Sequence, residues 1–284
     1  MNDRPQRIPT RIPTRIPTRI PTVMVYVLMV LVGVAAFLYP FWFPSDAFPG
    51  AAHAGDAPLW AAAIGALVVG AVSLEVRRGT MNGAIVAVLG VLAASAALLR
   101  LVDLPGNNAG IFFLVILGGV AFGPRFGVLM GITAMATSAV VTGGIGPWLP
   151  FQMLALSWMG GTAGLLGRWS ARLPARVEVL VVAGFAWGWG FAYGAVMNLW
   201  AWPFLQGKGA TLWRPGLGIV GTAEHYWSYY VATSFGWDAA GALCNAILVL
   251  ITGTALLRTL RRFAHRLEPA VELVPPAERA TMQA

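Results

Sequence analysis

The chain is 284 residues long, 58% of them hydrophobic and only 11% charged, with a mean hydropathy of +0.71. That composition cannot dress a water-facing surface at ordinary charge density, so it excludes a soluble globular protein and leaves an integral membrane protein. A net charge of +8 would suggest nucleic acid in a soluble chain, but here the arginines cluster in particular connecting segments, so the charge reads as topology and nucleic acid is not an expected partner.

Residues 7–22 are four tandem RIPT units. A proline every fourth residue denies a helix its hydrogen bonds and nothing here can build a core, so residues 1–22 read as a disordered basic tail. Its arginines could adhere to anionic membrane lipid; the plainer alternative is a low-complexity expansion that only helps fix orientation. Ala52-His53-Ala54 has the small-x-small shape of a signal-peptide cleavage site. The apolar run before it, about 21 residues, exceeds the usual 7 to 15, and Pro40 to Pro49 intervenes, so the run reads as an uncleaved span.

Crossing a bilayer takes about 20 apolar residues, with every backbone polar group satisfied within the segment. Eight stretches approach this: 23–43, 58–74, 81–102, 109–123, 126–142, 151–167, 177–201 and 237–257. The expected fold is therefore all-α, a polytopic membrane helical bundle. It divides into two N-terminal transmembrane helices (23–78), a six-helix core (79–262) and a cytoplasmic tail (263–284). The fourth stretch is short for a span, so it either recruits flanking residues or lies partly buried in protein, where irregular backbone is tolerated.

Sixteen of the 19 Lys and Arg fall on one side of this arrangement, leaving Arg100, Lys208 and Arg214. By the positive-inside rule both termini are cytoplasmic, in a multi-pass protein of the cell membrane, and loops 44–57, 103–108, 143–150 and 202–236 face outward.

Catalytic chemistry leaves little trace. Cys244 is the only cysteine, and His53, His225 and His265 lie in different segments, so neither a disulfide nor a metal centre is expected. G-x-S-x-G, H-E-x-x-H and P-loop patterns are absent, so no cofactor or catalytic residue is expected and any energy input must come from elsewhere.

Polar residues at membrane depth are expensive and usually face a cavity or the bundle interior. Gln152, Asn198, Asp238 and Asn245 qualify, and Arg100 could pair with Asp103 or with a ligand anion. Trp148 sits in the shaped loop GGIGPWLPFQ, 143–152. The last outward loop carries Trp202, Trp213, His225, Tyr226, Trp227, Tyr229 and Tyr230, with Trp237 just beyond it. As a set these suit a lid over a flat, largely apolar ligand; singly, each fits an interfacial aromatic belt. In the third span, Gly83 with Ala87, Gly90 with Ala94 and Ala93 with Ala97 place small residues at four-residue spacing. Such a face packs closely on another helix, either within the bundle or on a partner.

Several pieces together carry a resemblance: Leu99-Arg100-Leu101, Phe122-Gly123-Pro124-Arg125-Phe126-Gly127, Ser138, Gly146-Pro147-Trp148, Gln152-Met153, Trp237-Asp238 with Asn245, and the basic exit Leu256 to Arg262. Over about residues 81–262 the chain resembles the S component, the substrate-specific subunit of energy-coupling factor (ECF) transporters, in its cobalamin-type branch. The resemblance implies a six-helix S-component-like core that captures a vitamin or related micronutrient from outside. It implies docking on a transmembrane T component coupled to two ABC ATPases, with Gly83 and Ala87, then Gly90 and Ala94, as the docking face. Two extra N-terminal transmembrane helices depart from the usual six.

Residues and resemblance converge on a non-enzymatic uptake subunit. Arg100, Trp148, Gln152, Asn198, Trp202, His225, Tyr226, Tyr229, Trp237, Asp238 and Asn245 are its candidate ligand contacts. The competing expectation is a membrane enzyme acting on a lipid-linked substrate, with Asp103, Glu224, His225 or Asp238 as acid and base, although no paired-carboxylate spacing supports it. A third is an assembly subunit without a ligand.

Overall fold

The structure is a computed structural model that describes residues 22–43, 52–77, 81–102, 104–106, 109–205 and 208–267. The RIPT repeats up to Pro21, Asp103 and residues 268–284 lie outside the described residues.

All eight apolar stretches form helices: α1 (Thr22–Leu38), α2 (Ala57–Arg77), α3 (Gly83–Leu99), α4 (Ala109–Phe122), α5 (Pro124–Thr142), α6 (Leu149–Ser170), α7 (Ala175–Ala201) and α9 (Phe235–Leu267). A further helix, α8 (Gly218–Thr233), occupies much of the segment expected to be an outward loop. It is apolar on one face only and too short to span. Among the described residues, five segments are long and apolar enough to cross a membrane: Val23–Phe41, Ala57–Arg77, Pro124–Thr142, Ala175–Phe204 and Phe235–Leu267. The last helix continues ten residues past its expected end, so the expected C-terminal tail begins within α9.

The short α4 is the hub of the bundle. Every residue from Gly110 to Val120 is buried, and α3, α5, α6, α7 and α9 pack around it. A helix enclosed by protein need not match the bilayer thickness, which accounts for its 14 residues. Helix starts follow their local sequence. Asn82 caps α3 by accepting from the Ile85 N–H at 2.9 Å, while its own amide donates to the Leu267 carbonyl at 2.9 Å, tying the start of α3 to the end of α9. Gly123, at φ +91°, turns the chain so that Pro124 can open α5 at a position that needs no N–H donor. Gly127 and Gly160 then meet backbone to backbone, and a side chain on either would overlap the other helix. This contact sets α5 tightly against α6.

The N-terminal hairpin, α1 with α2, lies on the α6 side of the bundle and is fastened at both ends. At one end, buried Glu75 accepts from Arg125 at 3.3 Å and from the Tyr26 hydroxyl at 3.5 Å, joining α1, α2 and α5. At the other, His53 is 2% exposed among Phe151, Trp200 and Phe204, with its Nδ1 2.9 Å from Asp56. Asp56 also accepts from Tyr39 and from the Trp60 indole. His53 takes φ +58°, an uncommon backbone state for a side chain of this size. Burial lowers its pKa, against the opposing pull of Asp56. Burial alone would raise Asp56, but hydrogen bonds from His53, Tyr39 and Trp60 outweigh it and bring the carboxyl below its ordinary range.

Candidate functional site

Polar side chains gather at the end of the bundle where α7 finishes and α9 begins. Asn198 on α7 donates to Ser234 at 2.8 Å, and Tyr230 at the end of α8 donates to the Asp238 carboxylate at 2.9 Å. Glycines make the approach possible. A methyl on Gly194 would overlap the Asp238 carboxylate, and one on Gly190 would lie 2.6 Å from Ala242, so α7 and α9 can touch only because both positions lack a side chain.

Between these helices and the Gly106 turn lies a cavity of about 180 Å³, bordered by Phe112, Tyr193, Asn198, Ser234, Trp237, Asp238 and Asn245. Among the described residues, two of its polar groups have no hydrogen-bond partner. Asn245 is fully buried with both amide atoms unpaired, and the Tyr193 hydroxyl, on a residue 6% exposed, is likewise unpaired. Orphaned polar atoms at this depth cost roughly 1–3 kcal/mol each. Both residues border the same hollow, which makes it the candidate site for a polar ligand. The site offers an amide that donates and accepts, a phenol, a carboxylate and an aromatic wall. Among the described residues it holds no His, Cys or second carboxylate, and no group of three metal-ligating side chains occurs.

A second, largely apolar cavity of about 610 Å³ lies between the end of α1, the end of α7 and the chain leading into α8. Leu38, Phe41, Trp42, Trp202, Trp213 and Tyr226 border it, with Arg214 at its edge. Several of its aromatics are committed to holding the fold. Trp202 is fully buried and donates to the Thr211 carbonyl at 3.0 Å, and the Tyr226 hydroxyl donates to the Ala195 carbonyl. His225 meets the Leu212 carbonyl at 2.8 Å. Burial raises the phenol pKa of Tyr226, Tyr229 and Tyr230, so all three remain protonated donors.

The eleven candidate contacts are thus divided. Asn198, Trp237, Asp238 and Asn245 share the polar cavity, and Trp202 and Tyr226 border the apolar one. Arg100, Trp148, Gln152, His225 and Tyr229 border neither. Arg100 instead reaches across to α5 and donates to Ser138 at 3.2 Å. Trp148 donates to the Gly144 carbonyl at 3.3 Å and meets Trp200 edge to face. Sequence reasoning missed Tyr193. Its signal was faint, a lone tyrosine in the apolar, glycine-studded run of α7, and nothing local distinguishes it from a packing aromatic. Among the described residues no hydrogen bond or ion pair joins Glu224, His225 and Asp238, the acid-base candidates of the enzymatic alternative.

On α3, the small residues separate into two faces. Ala93 and Ala97 point into the core, whereas Gly83, Ala87, Gly90 and Ala94 are all exposed. A methyl placed on Gly83 or Gly90 would meet nothing within 4 Å. The N-terminal hairpin packs on α6 and α7, so it leaves this flat strip uncovered.

These features define a polytopic helical membrane protein with a small polar cavity at one end of its bundle. Residues 85–253 match the family described as ECF transporter, substrate-specific component, and the chain belongs to that family. It is a substrate-binding membrane subunit of an ECF importer. The matched segment holds the whole polar cavity and most of α3, while α1 and α2 lie outside it. No curated protein and no solved structure matches the chain.

Proposed function

We propose that this subunit captures a vitamin or related micronutrient in the cavity between α7, α9 and the Gly106 turn, and passes it through a T component driven by two partner ATPases. The observation that carries the reading is the pair of buried, unpartnered side chains Asn245 and Tyr193 facing one hollow inside the family-matched segment. A ligand that hydrogen-bonds both would offset a cost the empty bundle bears. The charge bias of the connecting segments supports a reading in which the cavity opens at the outer face and both termini are cytoplasmic.

Volume bears on the substrate. Pockets for drug-sized ligands run to about 300–1,000 Å³. A cavity of about 180 Å³ favours a compact, hydrogen-bonding vitamin or precursor over a corrinoid as large as cobalamin, even with some opening of the Trp237 wall. The uncovered strip of Gly83, Ala87, Gly90 and Ala94 suits the T component, because small side chains let a partner helix approach its backbone closely.

A thermal-shift panel on the purified protein tests the proposal, with biotin, thiamine, riboflavin, folate, queuosine precursors and cobalamin each at high concentration. A ligand at 100 times its Kd stabilises the folded state by about 2.7 kcal/mol, and at least one of the smaller compounds is expected to raise the Tm. A flat response to the whole panel would remove the support for capture of this class.

A further inference from the structure

At the Arg-bearing end of the bundle, well away from the polar cavity, α1 stands slightly off the α5–α6 pair and leaves a groove of about 400 Å³. Its wall on the α1 side is the apolar stripe Val23, Val27 and Leu31, and Val128 and Leu165 line the opposite side. Eight residues of helix make the stripe about 12 Å deep. Two arginines, Arg125 and Arg168, stand at the rim. Arg125 holds Glu75 with one nitrogen, yet its side chain remains 41% exposed. Arg168 is exposed in the last turn of α6 and makes no ion pair among the described residues. Arg172 and Arg176, also exposed, extend the positive surface beyond it.

We propose that this groove binds one anionic phospholipid, with its phosphate between Arg125 and Arg168 and an acyl chain laid along α1. A cationic rim above a narrow apolar slot matches the two parts of such a molecule, and basic pockets between membrane helices are suited to anionic headgroups. Charge argues against the alternatives. Residues 1–21 carry five arginines against one aspartate, so the tail would be repelled from the rim, and a second copy would set arginine against arginine. The lipid would fill the seam between the N-terminal hairpin and the family-matched core. It would thereby join the hairpin to the family-matched core through the bilayer itself.

The test measures lipid retention by native mass spectrometry on the full-length protein in detergent, after exchange into phosphatidylglycerol or phosphatidylcholine with identical acyl chains. Phosphatidylglycerol should be retained about fivefold or more over phosphatidylcholine, the preference that a single basic residue near an anionic headgroup produces. Arg168→Gln should cut that preference about fivefold, and Val128→Trp, which fills the slot and leaves both arginines, should abolish retention. Arg168→Gln touches no internal bond, so it decides the matter if the tryptophan variant fails to fold. Equal retention of the two lipids, or a preference unchanged in Arg168→Gln, overturns the proposal. Displacement of the lipid by an equal concentration of inorganic phosphate would show a simple anion site, and loss of retention on deleting residues 1–21 would place the headgroup on the tail; either also overturns it.

Discussion

Replacing Asn245 by leucine should strengthen the empty protein while weakening the loaded one. Among the described residues both amide atoms of Asn245 are buried without partners, at roughly 1–3 kcal/mol for each. Leucine has nearly the same shape, carries no polar atom, and borders a cavity with room to absorb its branching methyl. Asn245→Leu is therefore expected to stabilise the ligand-free state by about 1–2 kcal/mol, allowing for imperfect packing. The same change deletes a donor and an acceptor from the ligand site. At about 0.5–1.5 kcal/mol net for each hydrogen bond, affinity should fall roughly 5- to 150-fold. Tryptophan fluorescence during a thermal ramp, with and without the ligand found in the panel, reads both effects in one experiment. A lower Tm for the empty variant would mean that Asn245 serves the fold. An undiminished ligand shift would remove it from the site, and either result would refute the reasoning.

The remaining predictions concern the docking face and the hairpin. Gly83→Leu adds a large side chain where nothing lies within 4 Å, so it should leave ligand binding and the Tm almost unchanged while blocking co-purification with the T component. Loss of ligand binding with assembly intact would reverse the assigned roles of α3 and the cavity. The hairpin should be acid-sensitive. The folded protein holds His53 below its ordinary pKa, so the unfolded chain takes up the proton more readily, and stability present above about pH 6.5 should fall as the pH drops below it. A Tm profile from pH 7.5 to 5 should show this decline, and His53→Asn, which tolerates the same positive φ, should flatten it. An identical slope in the variant would assign the acid response elsewhere.

How much could be read in advance differs from one element to the next. Length and apolar content fixed the eight apolar helices, because a backbone in lipid must satisfy its own hydrogen bonds and helix is the local way to do so. The same reasoning left α4, too short to span, either to recruit flanking residues or to lie within protein, and the fold encloses it. It did not anticipate α8. Gly218 to Thr233 is moderately polar and aromatic, and such a segment becomes a helix here by packing Tyr226 and Tyr230 against α7, a choice made by tertiary contact.

The candidate site divides along the same line. Rarity at membrane depth singled out Gln152, Asn198, Asp238 and Asn245, since a polar side chain there needs a reason that sequence alone can register, and all but Gln152 border the polar cavity. Loop position was a weaker guide. It grouped Trp148, Trp202 and Tyr229 with the cavity residues, although an aromatic at a helix end is equally able to brace its neighbours, as Trp202 does by donating to Thr211. Tyr193 was invisible for the converse reason, because only the fold brings it to the cavity that Asn245 also borders.

The sequence by itself determined the solvent, the helices and the rare polar residues, all of which follow from the chemistry of single segments in an apolar medium. The tertiary structure alone decided which of those residues share a cavity, which face of α3 stays uncovered, and where the added hairpin rests. Those outcomes depend on which helices can approach one another closely, and glycines such as Gly127, Gly160 and Gly194 set that through contacts between residues tens of positions apart.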